Sequence, residues 1–533
     1  MITAKSHVLN YNVHVPDHAR LPTVLDSENH RKSVYFNHFQ SHVRYILPGV
    51  SLQFIDAFLQ LPCLHYAVLC LSASNLSMLN VQVQSRIIAG TDNSRQSVFS
   101  PLVNTLHHKY AGKYHDQALW HCRNARPDEL KHQAPAFLAA YILLAYYHHA
   151  STNHLRFRLA VWDSVRFVVQ NKTKIMASPS ANGNEALQMW YRLCASHRPA
   201  KPPALLLEGE GTSSFGPNLF SDGYNEAVDN HGLYLNCIMG MGVDDLIYDI
   251  LIKTMEIRTK FVVFRCVADS CHVSELSSGI SSLAHEVMNK MLGRPCDPDE
   301  HAEAQEGFLR GSHLLGLLDV QKERLGVWKS RLCEDQLPDK FSSSVDLNPT
   351  FPSHRDAMNA LYFMLCEIMF EETHITRTSH SKQQEEQQEH HRKNLLGNLA
   401  HGICQIAGAI DLTKSNVSDV YTFSLAETFL QLVCLWRSDV IFHYILDILW
   451  PRLEMKGKGY EHSHYPTHLV KRIITQIAVY WGRGRLVYLA LPAVTEDISK
   501  LRLLDINYPV DMVVCGYEIQ DDRHFVERIS LPS

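Results

Sequence analysis

APAFLAAYILLAYYHHASTNHLRFRLAVWDSVRFVVQ, residues 134–170, decides how this chain folds. Its first half, Phe137 to Tyr147, is apolar in every direction that a helix can face, so as a helix it is stable only inside a larger helical core. Ser151, Thr152 and Asn153 then interrupt the run with side chains that cap helix ends. In the second half Leu155, Leu159, Trp162, Val165 and Val169 share one face at helical spacing, with Arg156, Asp163 and Arg166 toward the other. This pattern predicts a buried helix, a capped turn and an amphipathic partner that turns Trp162 inward. Neither helix carries a nucleophile, an acid–base pair or a metal cluster, so the stretch reads as scaffold.

Working outward, the same kind of segment recurs along the chain and gives an all-α expectation: a multi-helix array in one large body over residues 31–491. A polar arm, residues 1–30, precedes it. A C-terminal extension, residues 492–533, follows, in which VDMVVCGYEI and HFVERISL alternate as a small β-hairpin would. The first helix starts after Ser27, buries Phe36, Phe39, Val43, Ile46 and Leu47, and stops at Pro48 and Gly49. Further helices are expected at 63–79, 99–125, 186–197, 243–266, 277–292, 302–332 and 356–370, then at 394–409, 424–436, 440–453 and 467–481. Residues 199–232 and 335–354 read as surface connections. SKQQEEQQEHHRK, 381–393, is either a solvated helix extension or a disordered loop.

Fifty basic and fifty-five acidic residues leave a formal charge of −5, so the chain as a whole is no polyanion binder. Its 13 cysteines stand singly in mostly apolar contexts such as YAVLCLS and YFMLCEI, the pattern of buried reduced thiols and of an intracellular protein. No apolar run reaches the ~18 to 20 residues that a bilayer requires, and the N-terminus has no signal-peptide core, so no membrane association is expected.

The order of segments resembles a known family. YFNHFQSHVRYIL, LPCLHYAVLCLSAS, then APAFLAAYILLAYYHH with WDSVRFVVQ, is similar to the fungal-specific transcription factor domain of zinc binuclear cluster regulators. LGVWKSRLCEDQLPDKF before LYFMLCEIMF continues the likeness, followed by NLAHGICQIAGAI and FLQLVCLWRSDVIFHYILDIL, so that it covers about 31–492. The resemblance implies a nuclear, non-enzymatic regulator of fungal gene expression. Such regulators carry a six-cysteine cluster beginning Cys-x-x-Cys that holds two zinc ions and places basic residues in the major groove. This chain has no Cys-x-x-Cys; Cys63 and Cys70 share one of the family's spacings, but Gln60 stands where the preceding ligand is needed. Direct sequence-specific DNA binding is therefore not expected, and contact with a DNA-bound zinc-cluster regulator is.

Several stretches offer chemistry beside a plainer reading. Asp244, Asp245 and Asp249 in GVDDLIYDI resemble the aspartate-rich magnesium motif of class I terpene cyclases, although acids opening a helix also suit its dipole. A second metal motif, Asp419, Thr422 and Glu427, is out of register. His462, His464 and His468 have spacing compatible with a transition metal but no thiol or carboxylate between them. GEGTSSFG, 209–216, invites comparison with a dinucleotide loop, yet Ser214 occupies the third glycine's place and no amphipathic helix follows. Arg483 and Arg485 read as a solvated helix end, and His107, His108, His148 and His149 as polar helix edges. No catalytic, cofactor-binding or metal-ligating residue is therefore assigned, and no cofactor is expected.

Three function classes stay open. The first is a transcriptional regulator or co-regulator acting through protein contacts or an effector pocket, with a homodimer allowed. The second is a metal-dependent terpene cyclase. The third is a helical scaffold unrelated to transcription. In the first, residues 199–232 and 372–393 are the expected contact regions.

Overall fold

Helix formation through 134–150 leaves an all-apolar cylinder that only surrounding helices can cover, and the fold is built around that requirement. A computed structural model describes residues 28–48, 52–79, 84–85, 97–98, 105–151, 153–177, 182–197, 241–274, 279–293, 311–336, 351–373, 382–412, 418–455, 464–493 and 509–531. Among them the chain is mainly α-helical, with a small antiparallel sheet at its C-terminal end.

Helix α1 (Glu28–His38) continues through a π turn (Phe39–Val43) into a last turn (Arg44–Ile46), and α2 (Leu52–Phe58) follows. Helix α3 (Pro62–Leu79) packs along α4 (Thr105–Arg123) and α5 (Pro127–Ala150). A two-residue strand pair, β1 (Gln84–Ser85) with β2 (Ser97–Val98), lies between α3 and α4 in sequence. Helix α5 starts earlier than the all-apolar run: Pro127 sits in its first turn, and Glu129 accepts a 3.0 Å hydrogen bond from the backbone N–H of Arg126. It continues across Pro135, an interior proline that costs about 3 kcal/mol. Burial of nearly every residue from Ala134 to Ala150 offsets that cost.

The capped turn forms as expected. Asn153 Oδ1 accepts from the Arg156 N–H at 3.1 Å, opening α6 (His154–Met176), and Ser151 Oγ donates to the Tyr147 carbonyl at 2.8 Å. The orientation of α6 does not. Phe157, Val161, Val165 and Val168 face the core, whereas Leu155, Leu159, Trp162 and Val169 are exposed, Trp162 to 43%. The core position expected of Trp162 belongs to Trp190 of α7 (Asn182–His197), which is 1% exposed and donates to Ser164 Oγ at 3.2 Å.

The second half is organised on α8 (Val243–Cys271), which touches α7, α9 (Ile280–Leu292), α10 (Gly311–Ser330), α11 (His354–Thr373) and the sheet. Helix α12 (Lys382–Ala409) takes in residues 382–393, so the charged stretch is a helix extension. Then come α13 (Leu425–Leu435), α14 (Asp439–His443), which continues through a π turn (Tyr444–Leu449) to Met455, and α15 (Thr467–Gly482). The hairpin expected near the C-terminus is β4 (Asp511–Glu518) with β5 (Arg523–Ser530). It has a third partner that the sequence reading placed at a helix end: β3 (Arg485–Pro492), antiparallel to β4, entered through Gly484 at φ +73°. Strands β3 and β4 contribute Val487, Leu489, Val513 and Cys515 to the same continuous apolar core as the helices. Among the described residues no helix is long and apolar enough to cross a membrane.

Candidate functional site

A concentration of ionisable groups lies where α7, α10 and α11 meet the first two turns of α8, and it contains the aspartate motif of the sequence. Acidic side chains suit a helix N-terminus. Here they also meet cations from every neighbour. Asp249, 1% exposed, accepts from Arg324 Nη2 at 2.7 Å, from Lys253 Nζ at 3.0 Å and from the Tyr191 hydroxyl at 3.3 Å. Lys253 also donates to the Tyr191 oxygen at 2.7 Å. Burial alone would raise the Asp249 carboxyl, but Lys253 and Arg324 hold it well below the usual carboxylate range.

Asp245 receives Arg192 Nε at 3.0 Å, and there burial outweighs the guanidinium, so its carboxyl is raised. Arg192 reaches Ser196 Oγ at 2.7 Å and lies over the Tyr248 ring, 3.1 Å from its centroid. Asp244 accepts from Asn359 Nδ2 at 2.7 Å and from Arg355 Nη1 at 3.2 Å. Arg355 Nη2 in turn holds the Tyr45 carbonyl at 3.2 Å, tying α1 to the cluster. Trp328 of α10 donates to the Val243 carbonyl at 3.0 Å and fixes the start of α8.

This arrangement does not suit a diphosphate–magnesium centre. Such a centre needs carboxylates whose lone pairs face an open cavity and a divalent ion. Asp245 and Asp249 direct theirs at Arg192, Lys253 and Arg324, and withdrawing them would strand the buried Arg192 and Lys253, while the more exposed Asp244 pairs with Arg355 and Asn359.

A second cluster joins α13, α7 and the start of α15. Glu427 closes a capping box on Ser424, accepting from its backbone N–H at 3.0 Å and its hydroxyl at 3.1 Å. Its other oxygen accepts from the backbone N–H of His464 at 3.1 Å and lies 3.0 Å from His464 Nδ1. His464 Nε2 points at the Ser196 carbonyl at 3.0 Å, and the ring of His149 stands 5.1 Å away, centroid to centroid. His464 and Glu427 are 0% and 2% exposed at the side chain, so neither presents a reactive atom to solvent.

The other candidates divide as follows. Asp419 pairs with His354 Nε2 at 2.7 Å and Glu427 with His464, so the second acidic motif supplies two separate structural contacts. His468 is half-buried in α15, and His462 lies outside the described residues, as do the glycine-rich stretch 209–216 and the connection 199–232. No group of three or more histidine, cysteine, aspartate or glutamate side chains among the described residues could hold a metal. Arg485 is no solvated helix end: it pairs with Glu527 at 2.9 Å and lies over the rings of Phe525 and Tyr480. Arg483 caps α15 and is exposed.

The histidines read as polar edges are mostly inside. His107, His148 and His149 are buried, with His107 Nδ1 2.9 Å from the Tyr35 hydroxyl and His148 Nε2 3.1 Å from His115 Nε2. Sequence spacing gave no sign of this bracing, because each partner lies on another helix. Nine cysteines among the described residues are buried free thiols, while Cys271 and Cys333 are exposed.

Compared with known proteins, the chain matches no family model, no curated protein and no solved structure.

Proposed function

We propose that this chain is a regulator or co-regulator of transcription that acts by protein contact and not by catalysis. The observation that carries the reading is the commitment of Asp244, Asp245 and Asp249 to Arg355, Arg192, Lys253 and Arg324. It weighs against the cyclase alternative and supports a body whose ionisable interior joins helices. The segments that resemble the fungal-specific transcription factor domain supply the transcriptional setting: YFNHFQSHVRYIL, LPCLHYAVLCLSAS, LYFMLCEIMF and FLQLVCLWRSDVIFHYILDIL lie in α1, α3, α11 and α13–α14 of one core.

Base readout needs side chains delivered to base edges by a positioned element, together with clustered positive charge on the phosphates. The chain's formal charge of −5 favours recruitment by a DNA-bound partner in the nucleus. A mobility-shift titration over random duplexes at physiological salt, with and without nuclear extract, tests this. The isolated chain should select no motif, and chromatin immunoprecipitation should place it at discrete loci. Selection of one motif at nanomolar affinity by the purified chain would restore an autonomous DNA-binding factor. Magnesium-dependent turnover of a prenyl diphosphate would restore the cyclase.

A further inference from the structure

Two histidine rings meet where α4 lies beside α5. His115 of α4 and His148 of α5 bring their Nε2 atoms within 3.1 Å of each other. Their ring centres stand 4.9 Å apart and the ring planes cross at 69°. A straight N–H···N bond of that length would put the centres about 5.4 Å apart, so the two ring axes do not lie along one line. An ion bound by both nitrogens at about 2.0–2.1 Å, with ligand angles between square and tetrahedral, sets the nitrogens about 2.8 to 3.4 Å apart and the ring centres about 4.5 to 5.2 Å apart. Both observed distances fall inside those ranges. The surroundings also suit a ligand pair. His115 Nδ1 lies 3.1 Å from Asp116 Oδ1, so that nitrogen carries the ring hydrogen and donates it to the carboxylate, and Nε2 keeps its lone pair. A carboxylate on the far nitrogen orients a metal-bound histidine and strengthens it as a ligand.

We infer that His115 and His148 bind a divalent transition ion of the zinc class, with water completing its coordination. Imidazole suits zinc, copper and nickel, whereas magnesium and calcium require oxygen ligands. His148 is 6% exposed, and burial, with His115 and then Arg156 adding to it, pushes its pKa down to about 3, so it is neutral and able to ligate near pH 7. The side chains of His115 and Asp116 are 13% and 85% exposed, so the ion and its waters enter from the solvent side. Without an ion, His148 Nε2 carries the hydrogen that joins the pair. On binding, that hydrogen moves through solvent to His148 Nδ1, so both rings stay neutral and both Nε2 lone pairs go to the ion. The ion then staples α4 to the central helix α5 and stabilises the fold by mass action. Two protein ligands make this an open site, unlike a closed structural zinc centre with four. Neither the transcriptional setting nor a DNA-bound partner enters this chemistry.

The test compares the full chain with His115→Ala and His115→Gln. His115 stands at the edge of the pair, so both variants should keep the helical circular dichroism of the wild type. Glutamine can still hydrogen-bond His148 but is a poor zinc ligand. In calorimetric titration with zinc chloride, the wild type should bind one more equivalent of Zn²⁺ than either variant; zinc held elsewhere on the chain cancels in that difference. Saturating Zn²⁺ should also raise the urea midpoint of the wild type more than that of either variant. Copper(II) with ascorbate oxidises the histidines that hold the copper, and peptide mass spectrometry should find added oxygen on His115 or His148. Equal zinc uptake by all three chains, an equal zinc effect on their midpoints, or oxidation that spares both histidines would overturn the proposal. So would a loss of stability in His115→Ala that zinc leaves unchanged and His115→Gln restores, since the pair would then be a hydrogen bond alone.

Discussion

Two tryptophans separate surface from core at the level of single residues. Trp162 stands 43% exposed on the outer face of α6, while Trp190 is 1% exposed and bonded to Ser164. Trp190→Ala should therefore cost ~3 to 5 kcal/mol, as large-to-small changes in filled cores do. Trp162→Ala should cost under ~1 kcal/mol. Urea unfolding of both variants checks this, and similar losses for the two would show that α6 is turned the other way. The sequence favoured the wrong face for a physical reason. Both faces of α6 carry apolar residues at helical spacing, but the inner one is interrupted by His154, Ser164 and Asn171. Ser164 is satisfied by its bonds to the Val161 carbonyl and to Trp190, and Asn171 donates to the Phe167 carbonyl, so at those two positions burial costs little. A one-dimensional pattern counts them as polar; only the neighbours supply their partners.

At the scale of elements, Arg258 joins four pieces of the fold. From α8 its guanidinium grips Glu372 of α11 at 2.5 and 3.0 Å, the Tyr488 carbonyl of β3 at 3.1 Å and the Cys434 carbonyl of α13 at 3.4 Å. With the arginine side chain 2% exposed and Glu372 14%, removing one partner leaves a largely buried charge. Arg258→Ala should lose ~3 to 5 kcal/mol, whereas Arg258→Met with Glu372→Leu should recover much of that by filling the space with apolar atoms. Denaturant titration of the single and double variants decides it; a loss below ~1 kcal/mol for Arg258→Ala would remove Arg258 as a brace. Nothing local marks Arg258, Arg192 or Lys253 as buried, and all three lie on helices whose boundaries were legible to within a few residues. Helix ends and apolar stripes are written in neighbours three and four apart. Ion pairs such as Arg258–Glu372, 114 residues apart, are not.

Across the whole molecule, acid should loosen the fold before it touches the carboxylates. Burial holds His38 of α1 and His148 of α5 down at about 3, and His42 of the π turn after α1, His154 of α6 and His468 of α15 at about 4. Each is neutral in the fold and binds a proton near pH 6.5 once unfolded. The unfolded state thus takes up more protons between about 6.5 and those lower values, so stability is full above 6.5 and falls as pH drops below it. Each group contributes up to roughly 1.4 kcal/mol per pH unit. Urea midpoints should be level between pH 7 and 8 and decline from pH 6 to 5; a midpoint unchanged down to pH 5 would contradict this burial.

The all-helical class, the positions of most helices, the capped turn at Asn153 and the C-terminal hairpin were determined by the sequence itself, because each follows from the period of apolar residues and from capping chemistry a few residues away. The tertiary structure decided which face of α6 points inward, that β3 joins the hairpin, that the charged stretch 382–393 is helix, and that the aspartates of GVDDLIYDI meet arginines and lysine. Those outcomes depend on what distant segments bring to the same place. A side chain's burial is set by its neighbours in space, and a carboxylate facing Arg324 within the protein is spelled no differently from one facing a metal ion.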